Sequence, residues 1–388
     1  DFTRGNISTG WFSIDGQTRP FGQWEYSTNI SNAHQLQLMA MNLDASYRLT
    51  SNIDFSGGFV GGKYPGMWSP TGFSPIGDLF GQFTGSLDGQ NHVISNLTIN
   101  LPSTSYVGLF GYTTATSTLS NVSLQAATVT GLNRVGTLAG QSLGTISNAS
   151  ATGAVSAGGY GGGLAGESQG SIANSWAAVT VTGLTPASSS MGGLVGWNNG
   201  AGIIQDSYAT GNVTAGTGNT RAGGLAAQNN GRILRSHATG AVSGGSQGVG
   251  GLVGFNSSGT PNATIVDSYA TGAVIATSFG GGLVGVNSVG ASIDNSYAAG
   301  TVSVMSSTVN SLFGGGLIGS NSGAVTRSRA TGAVDVTSTY AAATATSAGG
   351  LIGSNGSTAT VTLSYATGAA SAVSAAGTTA TGGLIGRN

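Results

Sequence analysis

The stretch GGLVGWNNGAGIIQDSYATGNV, Gly192–Val213, returns as GGLVGFNSSGTPNATIVDSYATGAV at Gly250–Val274. A segment rewritten with its glycines, its leucine and its D-S-Y-A-T-G run in place is one structural unit copied, so repeats are sought before domains. Aligned on the central leucine of a G-x-L-x-G core, the copies fall at Leu79, Leu109, Leu138, Leu164, Leu194, Leu225, Leu252, Leu283, Leu317, Leu351 and Leu384, spaced 26 to 34 residues apart. A second element keeps step with the first, its alanine at Ala151, Ala177, Ala209, Ala238, Ala270, Ala298, Ala330 and Ala366.

Inside each copy the segments are short, rich in Val, Ile, Thr and Tyr, and bounded by Gly, Asn and Ser, which is strand-and-turn grammar. A propeller blade needs about 40 residues and four strands, whereas roughly 30 suit one rung of a parallel β-helix with two or three short strands. The expected fold is therefore all-β, a parallel β-helix (solenoid) of about eleven rungs over residues 77–388. Rungs stacked about 4.8 Å apart make a rod about 50 Å long.

Stacking places equivalent residues directly above one another, so each repeat position predicts a ladder. Four residues after the core leucine stand Asn198, Asn229, Asn256, Asn287, Asn321, Asn355 and Asn388, preceded by Ser142 and Ser168. Asparagine suits a corner with left-handed backbone and can bond its amide to the next rung. Alternation along the second element gives one face of small residues, such as Ser207 and Ala209, for a narrow interior. Trp176, Tyr208, His237, Tyr269, Tyr297, Arg329 and Tyr365 fall on the opposite face. That row is expected outside, because burying His237 and Arg329 unpartnered would be costly. One position earlier Asp206, Arg235 and Asp267, then Asn295 and Arg327, make a mixed-charge row expected to face solvent.

The units G-G-L-V-G-x-N and I-x-D-S-Y-A-T-G-x-V resemble the GLUG repeat of bacterial surface proteins, among them filamentous-haemagglutinin-like adhesins and some immunoglobulin A peptidases. FTGSLDGQNHVISNLTI, Phe83–Ile99, looks like the initiating rung that precedes such repeats. The resemblance implies a right-handed β-helix exported to the cell surface or into an extracellular fibre, often by two-partner secretion.

Residues 1–76 differ in kind. Trp11, Trp24 and Trp68 lie there, and seven of the twelve acidic residues occur by Asp88. SNAHQLQLMAMNL, residues 31–43, has a capping residue followed by Leu36, Met39 and Leu43 at helical spacing, which predicts one short helix capping the first rung. The chain stops at the asparagine position of a copy, and continuation beyond Asn388 or packing of that end on another copy is the expectation.

Composition narrows the function. Eleven basic against twelve acidic residues leave a net charge of −1, with no basic stripe for nucleic acid. There is no cysteine, hence no thiolate metal site or thiol nucleophile, and no apolar run of transmembrane length. The mean hydropathy of +0.15 argues against simple disorder. After Asp88 only Glu167, Asp206, Asp267, Asp294 and Asp335 could supply the paired carboxylates of a glycosidase, and Arg235 separates the best pair. His34, His92 and His237 are scattered and no nucleophile elbow occurs. Asp15, Asp44, Asp54, Asp78 and Asp88 would hold calcium only if folding gathered them; no metal and no cofactor are expected. Nine N-x-S/T sequons, Asn256 among them, are read as chance in a chain this rich in Asn, Ser and Thr.

The function expected is a non-enzymatic adhesin or fibre segment presenting a repetitive surface to glycans or proteins of a host or neighbouring cell, or to its own kind end to end. The row Trp176–Tyr365 is the candidate ligand surface. The alternatives are the stalk of a larger secreted enzyme, or an ice-binding surface built on Thr210, Thr239, Thr271, Thr331 and Thr367.

Overall fold

The computed structural model describes residues 6–8, 10–56, 66–184, 189–216, 218–257 and 263–388. The repeat Gly192–Gly223 shows how one unit becomes one turn. Val195–Asn198 lies in one sheet and Ile203–Gln205 in a second, and Tyr208–Ala209, Val213–Thr214 and Arg221–Gly223 form the remaining wall. Each strand pairs in parallel with its counterpart in the next repeat: Val195 with Ala226, Ile204 with Ile233, Tyr208 with His237, Val213 with Val242. The chain is a parallel β-solenoid.

A single turn cannot bury its leucine, and stacking solves that. Leu194, Val195, Ile204, Ala209, Val213 and Ala222 are all buried, and one continuous apolar core runs from Phe12 to Ile352. At roughly 1.5–3 kcal/mol for each large apolar side chain taken out of water, this repeated burial is the main force closing the rod.

The rung count is lower than the eleven leucines suggested. The sheet that carries the G-x-L-x-G segments has ten strands, from Phe110–Thr113 to Ile385–Arg387, and these enclose nine turns. Leu79 is not a core leucine, for its side chain is 45 % exposed. Ile76 bridges in parallel to Phe110, and Phe83 to Thr113, so Gly77–Gln82 is an insertion between two sheet positions. Asp78 Oδ1 accepts from the backbone N–H groups of Phe80 and Gly81 and folds the insertion outward, carrying Leu79 with it.

The second sheet has twelve strands and already takes in Asn29–Ile30 and Ser46–Leu49, parallel to Ser86–Asp88 and Thr118–Ser120. Before it stands an antiparallel trio, Asn6–Ser8, Trp11–Ser13 and Phe21–Gly22. The helix α1 is shorter than its apolar spacing suggested, covering Ala33–Leu38 and continuing as a 3-10 turn over Met39–Met41. Asn32 caps it, its side chain accepting from Gln35 N. Leu36, Leu38 and Met39 are fully buried in the same core as the solenoid. Gln37 ties this end together: Oε1 accepts from Trp68 Nε1 at 2.8 Å and from Ser74 N at 3.1 Å, and Nε2 donates to Ser74 O at 3.0 Å. The interior here is aromatic, with Phe55 and Trp68 ring centroids 5.8 Å apart and Phe83 and Phe110 4.6 Å apart, and becomes aliphatic along the repeats.

Candidate functional site

Local geometry of the second element begins at its corner. Asn174, Asp206, Arg235, Asp267, Asn295 and Arg327 all have positive φ, between 44° and 50° for five of them and 53° for Asp267. Asn and Asp tolerate this region; arginine is strained there by about 1–3 kcal/mol unless neighbours hold it. Asp206 holds Arg235 with two bonds, 2.7 Å to Nε and 2.8 Å to Nη2, and Asp294 holds Arg327. The mixed-charge row is thus the left-handed corner. The asparagine ladder, expected at such a corner, is instead extended strand.

A bend of this kind interrupts the backbone ladder, and the serine after it repairs the gap. Ser207 Oγ donates to Gln205 O at 2.7 Å and accepts from Ser175 N at 3.1 Å. The same pair of bonds recurs at Ser236, Ser268, Ser296 and Ser328. These serines are buried because they are small and because each carries a backbone N–H that would otherwise be orphaned.

The next residue points out, which produces the aromatic row. Trp176, Tyr208, His237, Tyr269, Tyr297, Arg329 and Tyr365 are paired in register along the rod. Their rings are nearly parallel: Trp176–Tyr208 at 6.0 Å, Tyr208–His237 at 4.9 Å, His237–Tyr269 at 4.6 Å and Tyr269–Tyr297 at 4.9 Å between centroids. The Arg329 guanidinium carbon lies 4.3 Å from the Tyr297 ring centre. Ring faces are turned toward one another along the rod, and edges and hydroxyls face solvent. The threonine column two residues on is exposed beside this raised stack, so it does not form a flat face.

Burial lowers the pKa of His237. A histidine kept neutral by the fold binds its proton more readily in the unfolded chain, so stability falls as pH drops below the ordinary value near 6.5 and levels off below the folded one. His237→Tyr, matching the neighbours at 208 and 269, is expected to remove that component. Melting curves at pH 7.5 and pH 5 will show a smaller acid loss in the variant than in the parent; equal losses would contradict the assignment.

The asparagine ladder is continuous, and it is internal from Asn198 to Asn321. Nδ2 of Asn198 donates to Oδ1 of Asn229 at 2.7 Å, and the pattern continues through Asn256, Asn287, Asn321, Asn355 and Asn388 at 2.8–2.9 Å. Asn229 also closes its own turn, donating to Gly231 O and accepting from Gly231 N. Asn256, the asparagine of one sequon, therefore lies fully buried in the ladder.

A second outward face was missed in the sequence, although its signal was present. Four residues before successive core leucines stand Arg134, Tyr160, Ser190, Arg221, Gly248, Phe279 and Phe313; three residues after stand Gln141, Glu167, Trp197, Gln228 and Phe255. These adjoining columns interlock. Arg134 Nε donates to Glu167 Oε2 at 2.5 Å, and its guanidinium lies 5.2 Å from the Tyr106 ring and 6.0 Å from that of Tyr160. Tyr160 stacks on Trp197 at 5.1 Å. Glu167 Oε1 accepts from Gln169 and Asn199, each at 2.9 Å, and from Gln141 at 3.3 Å. Fixed by four donors, Glu167 is an acceptor in a structural network. Asp206 and Asp294 are held by arginines, Asp267 by Asn295 and Asp335 by Ser371.

Among the described residues no three His, Asp or Glu side chains converge as metal ligands, and no helix is long and apolar enough to cross a membrane. The N-terminal acids are separated into their own turns: Asp54 binds Ser56, Ser95 and Asn96, and Asp88 binds Gln90 and Asn121. These bonds hold both carboxyls below the ordinary range.

The fold is a parallel β-solenoid, and the GLUG motif matches it at residues 187–214 and 245–275. Over 123 residues, 31 % of the chain, the sequence is 45 % identical to halomucin of Haloquadratum walsbyi. The chain spans about 1 % of that relative's length. The solved structure of a candidate immunoglobulin A1 protease from Bacteroides ovatus is similar over 73 % of this chain and 80 % of its own, at 23 % identity and a TM-score of 0.48.

Proposed function

We propose that this chain is a non-enzymatic segment of a secreted or cell-surface protein, a stiff spacer that presents repeated surface features and adheres to glycans or proteins through them. The observation that carries the reading is the use made of polar residues. The five acids after Asp88 are tied to neighbouring donors, and the asparagines that follow the core leucines and the serines before the aromatic row are consumed in ladders. A chain that spends its polar groups on holding rungs together is built to persist as a surface. The GLUG match and the likeness to halomucin support a surface role. Adhesion through Trp176–Tyr365 would use the exposed ring edges and hydroxyls, since the faces stack on one another.

The triple variant Tyr208→Ser, Tyr269→Ser, Tyr297→Ser tests the adhesive part. Stacked aromatic pairs contribute about 0.5–1.5 kcal/mol each, so the rod stays folded with a lower denaturation midpoint. Binding to cells or to a glycan array, normalised to folded protein, is expected to fall. Unchanged binding at reduced stability would make the row structural and refute its adhesive role.

A further inference from the structure

On the second face, Tyr160, Ser190 and Arg221 occupy one outward column on three successive rungs. Large, small, large makes a notch, with Tyr160 and Arg221 two rungs or about 10 Å apart. Asn133, Asn219 and Gln247 complete the rim of a cleft of about 420 Å³.

Arg221 is placed differently from the arginines that carry ion pairs. Arg134, Arg235 and Arg327 each meet a carboxylate. The Arg221 guanidinium lies 4.8 Å from the Phe255 ring centre and donates one Nη1 bond to Gln228 Oε1 at 3.0 Å. Its Nε is buried and makes no hydrogen bond among the described residues. Among the described residues no carboxylate relieves it, and burial disfavours its charged form. The adjacent residues 185–188 and 217 are Thr, Pro, Ala, Ser and Thr, so no acid comes from them either. A guanidinium clamped by a ring and an amide at the wall of the cleft is preorganised for a planar carboxylate.

The rest of the cleft is suited to a sugar. Tyr160 is braced by Trp197, whose Nε1 donates to Asn230 at 2.9 Å. Asn133 Oδ1 already accepts from Arg134 N and Tyr160 N, which turns its amide nitrogen into a fixed donor. A rigid aromatic side, a hydroxyl floor and amide groups on the rim match a polyhydroxylated ring. We propose that the Tyr160–Arg221 cleft binds an acidic sugar, its carboxylate on Arg221 and its ring over Ser190. This site is separate from the stacked row and does not depend on the adhesive role of that row.

The test is calorimetric titration of the whole chain at fixed ionic strength with tetragalacturonate, its neutral methyl ester, and acetyl-triglycine as a non-sugar carboxylate. Tetragalacturonate is expected to bind, with the ester and acetyl-triglycine each weaker by about tenfold or more. Arg221→Gln should cost about tenfold or more in affinity. Ser190→Tyr should block the notch without disturbing the fold, since Tyr160, Phe279 and Phe313 stand at the same repeat position; it decides the matter if Arg221→Gln does not fold. The tyrosine triple variant should bind as the parent does. No heat of binding at about 10 mM tetragalacturonate, equal binding of the ester or of acetyl-triglycine, or full binding by Ser190→Tyr would overturn the proposal.

Discussion

Gly251→Ala is expected to be among the most damaging single-methyl additions in this chain. A Cβ on Gly251 would sit 2.1 Å from Gly282 O and 2.9 Å from the Ala270 side chain. The first obstacle is backbone of the next rung, which cannot swing aside as a long side chain would. The same contact recurs at Gly193 against Gly224, Gly224 against Gly251 and Gly282 against Gly316, at 2.0–2.1 Å. None of these glycines has positive φ, so the requirement is space between rungs rather than backbone freedom. Forcing two rungs apart at one wall breaks the hydrogen bonds and apolar contacts on both sides, an effect of about 4 kcal/mol or more. Gly200→Ala provides the contrast. Gly200 has φ of +57° with nothing within 4 Å of a built Cβ, so its loss costs only the local backbone strain, about 1 kcal/mol. Chemical denaturation of the two variants should separate them clearly; similar midpoints would mean that the rungs do not approach as closely as described.

Asn256→Ala comes second. Asn256 is fully buried at the middle of the amide ladder, accepting from Asn229 at 2.8 Å and donating to Asn287 at 2.9 Å. Its removal leaves a buried donor and a buried acceptor short of one partner each, at about 1–3 kcal/mol apiece, and opens a small cavity. The expected loss is about 2–5 kcal/mol. Asn256→Leu restores volume without restoring either bond and should lose a comparable amount, whereas Asn355→Ala, at the more exposed end of the ladder, should lose less. If Asn256→Leu is as stable as the parent, the ladder contributes through size alone.

Several of these features were legible before any coordinates. The fixed offset of Asn198 through Asn388 from the core leucines revealed the ladder, and the alternation Ser207-Tyr208-Ala209 sorted inside from outside. What could not be read at Leu79 was context. G-D-L-F-G has the pattern of a rung core, but Asp78 captures two backbone N–H groups and turns the segment into a loop. Local spacing cannot show whether a leucine has a neighbour above it. Asparagine favours the left-handed corner in isolation, yet the ladder asparagines are extended; the corner is filled by Asn174, Asp206, Asp267 and Asn295 and also by Arg235 and Arg327, which Asp206 and Asp294 hold from neighbouring rungs. The cleft at Arg221 escaped notice because its column varies from rung to rung. A repeat search rewards what recurs, and a binding notch is made by what does not.

The central claim is that one repeat is one turn, stacked in register, and the absence of native cysteine allows a direct measurement of it. Thr239 and Thr271 are exposed, and the pairing of Ala238 with Ala270 sets them side by side on neighbouring rungs. Their Cα atoms are then about 4.8 Å apart, within the range a disulfide spans. Thr239 and Thr331 stand three rungs apart in the same column, about 14 Å. Under mild oxidation in dilute solution, the Thr239→Cys, Thr271→Cys chain should close an intramolecular bridge, and the Thr239→Cys, Thr331→Cys chain should remain reduced. A bridge in the second chain, or none in the first while it remains folded, would contradict the stacked register on which the proposed scaffold function rests.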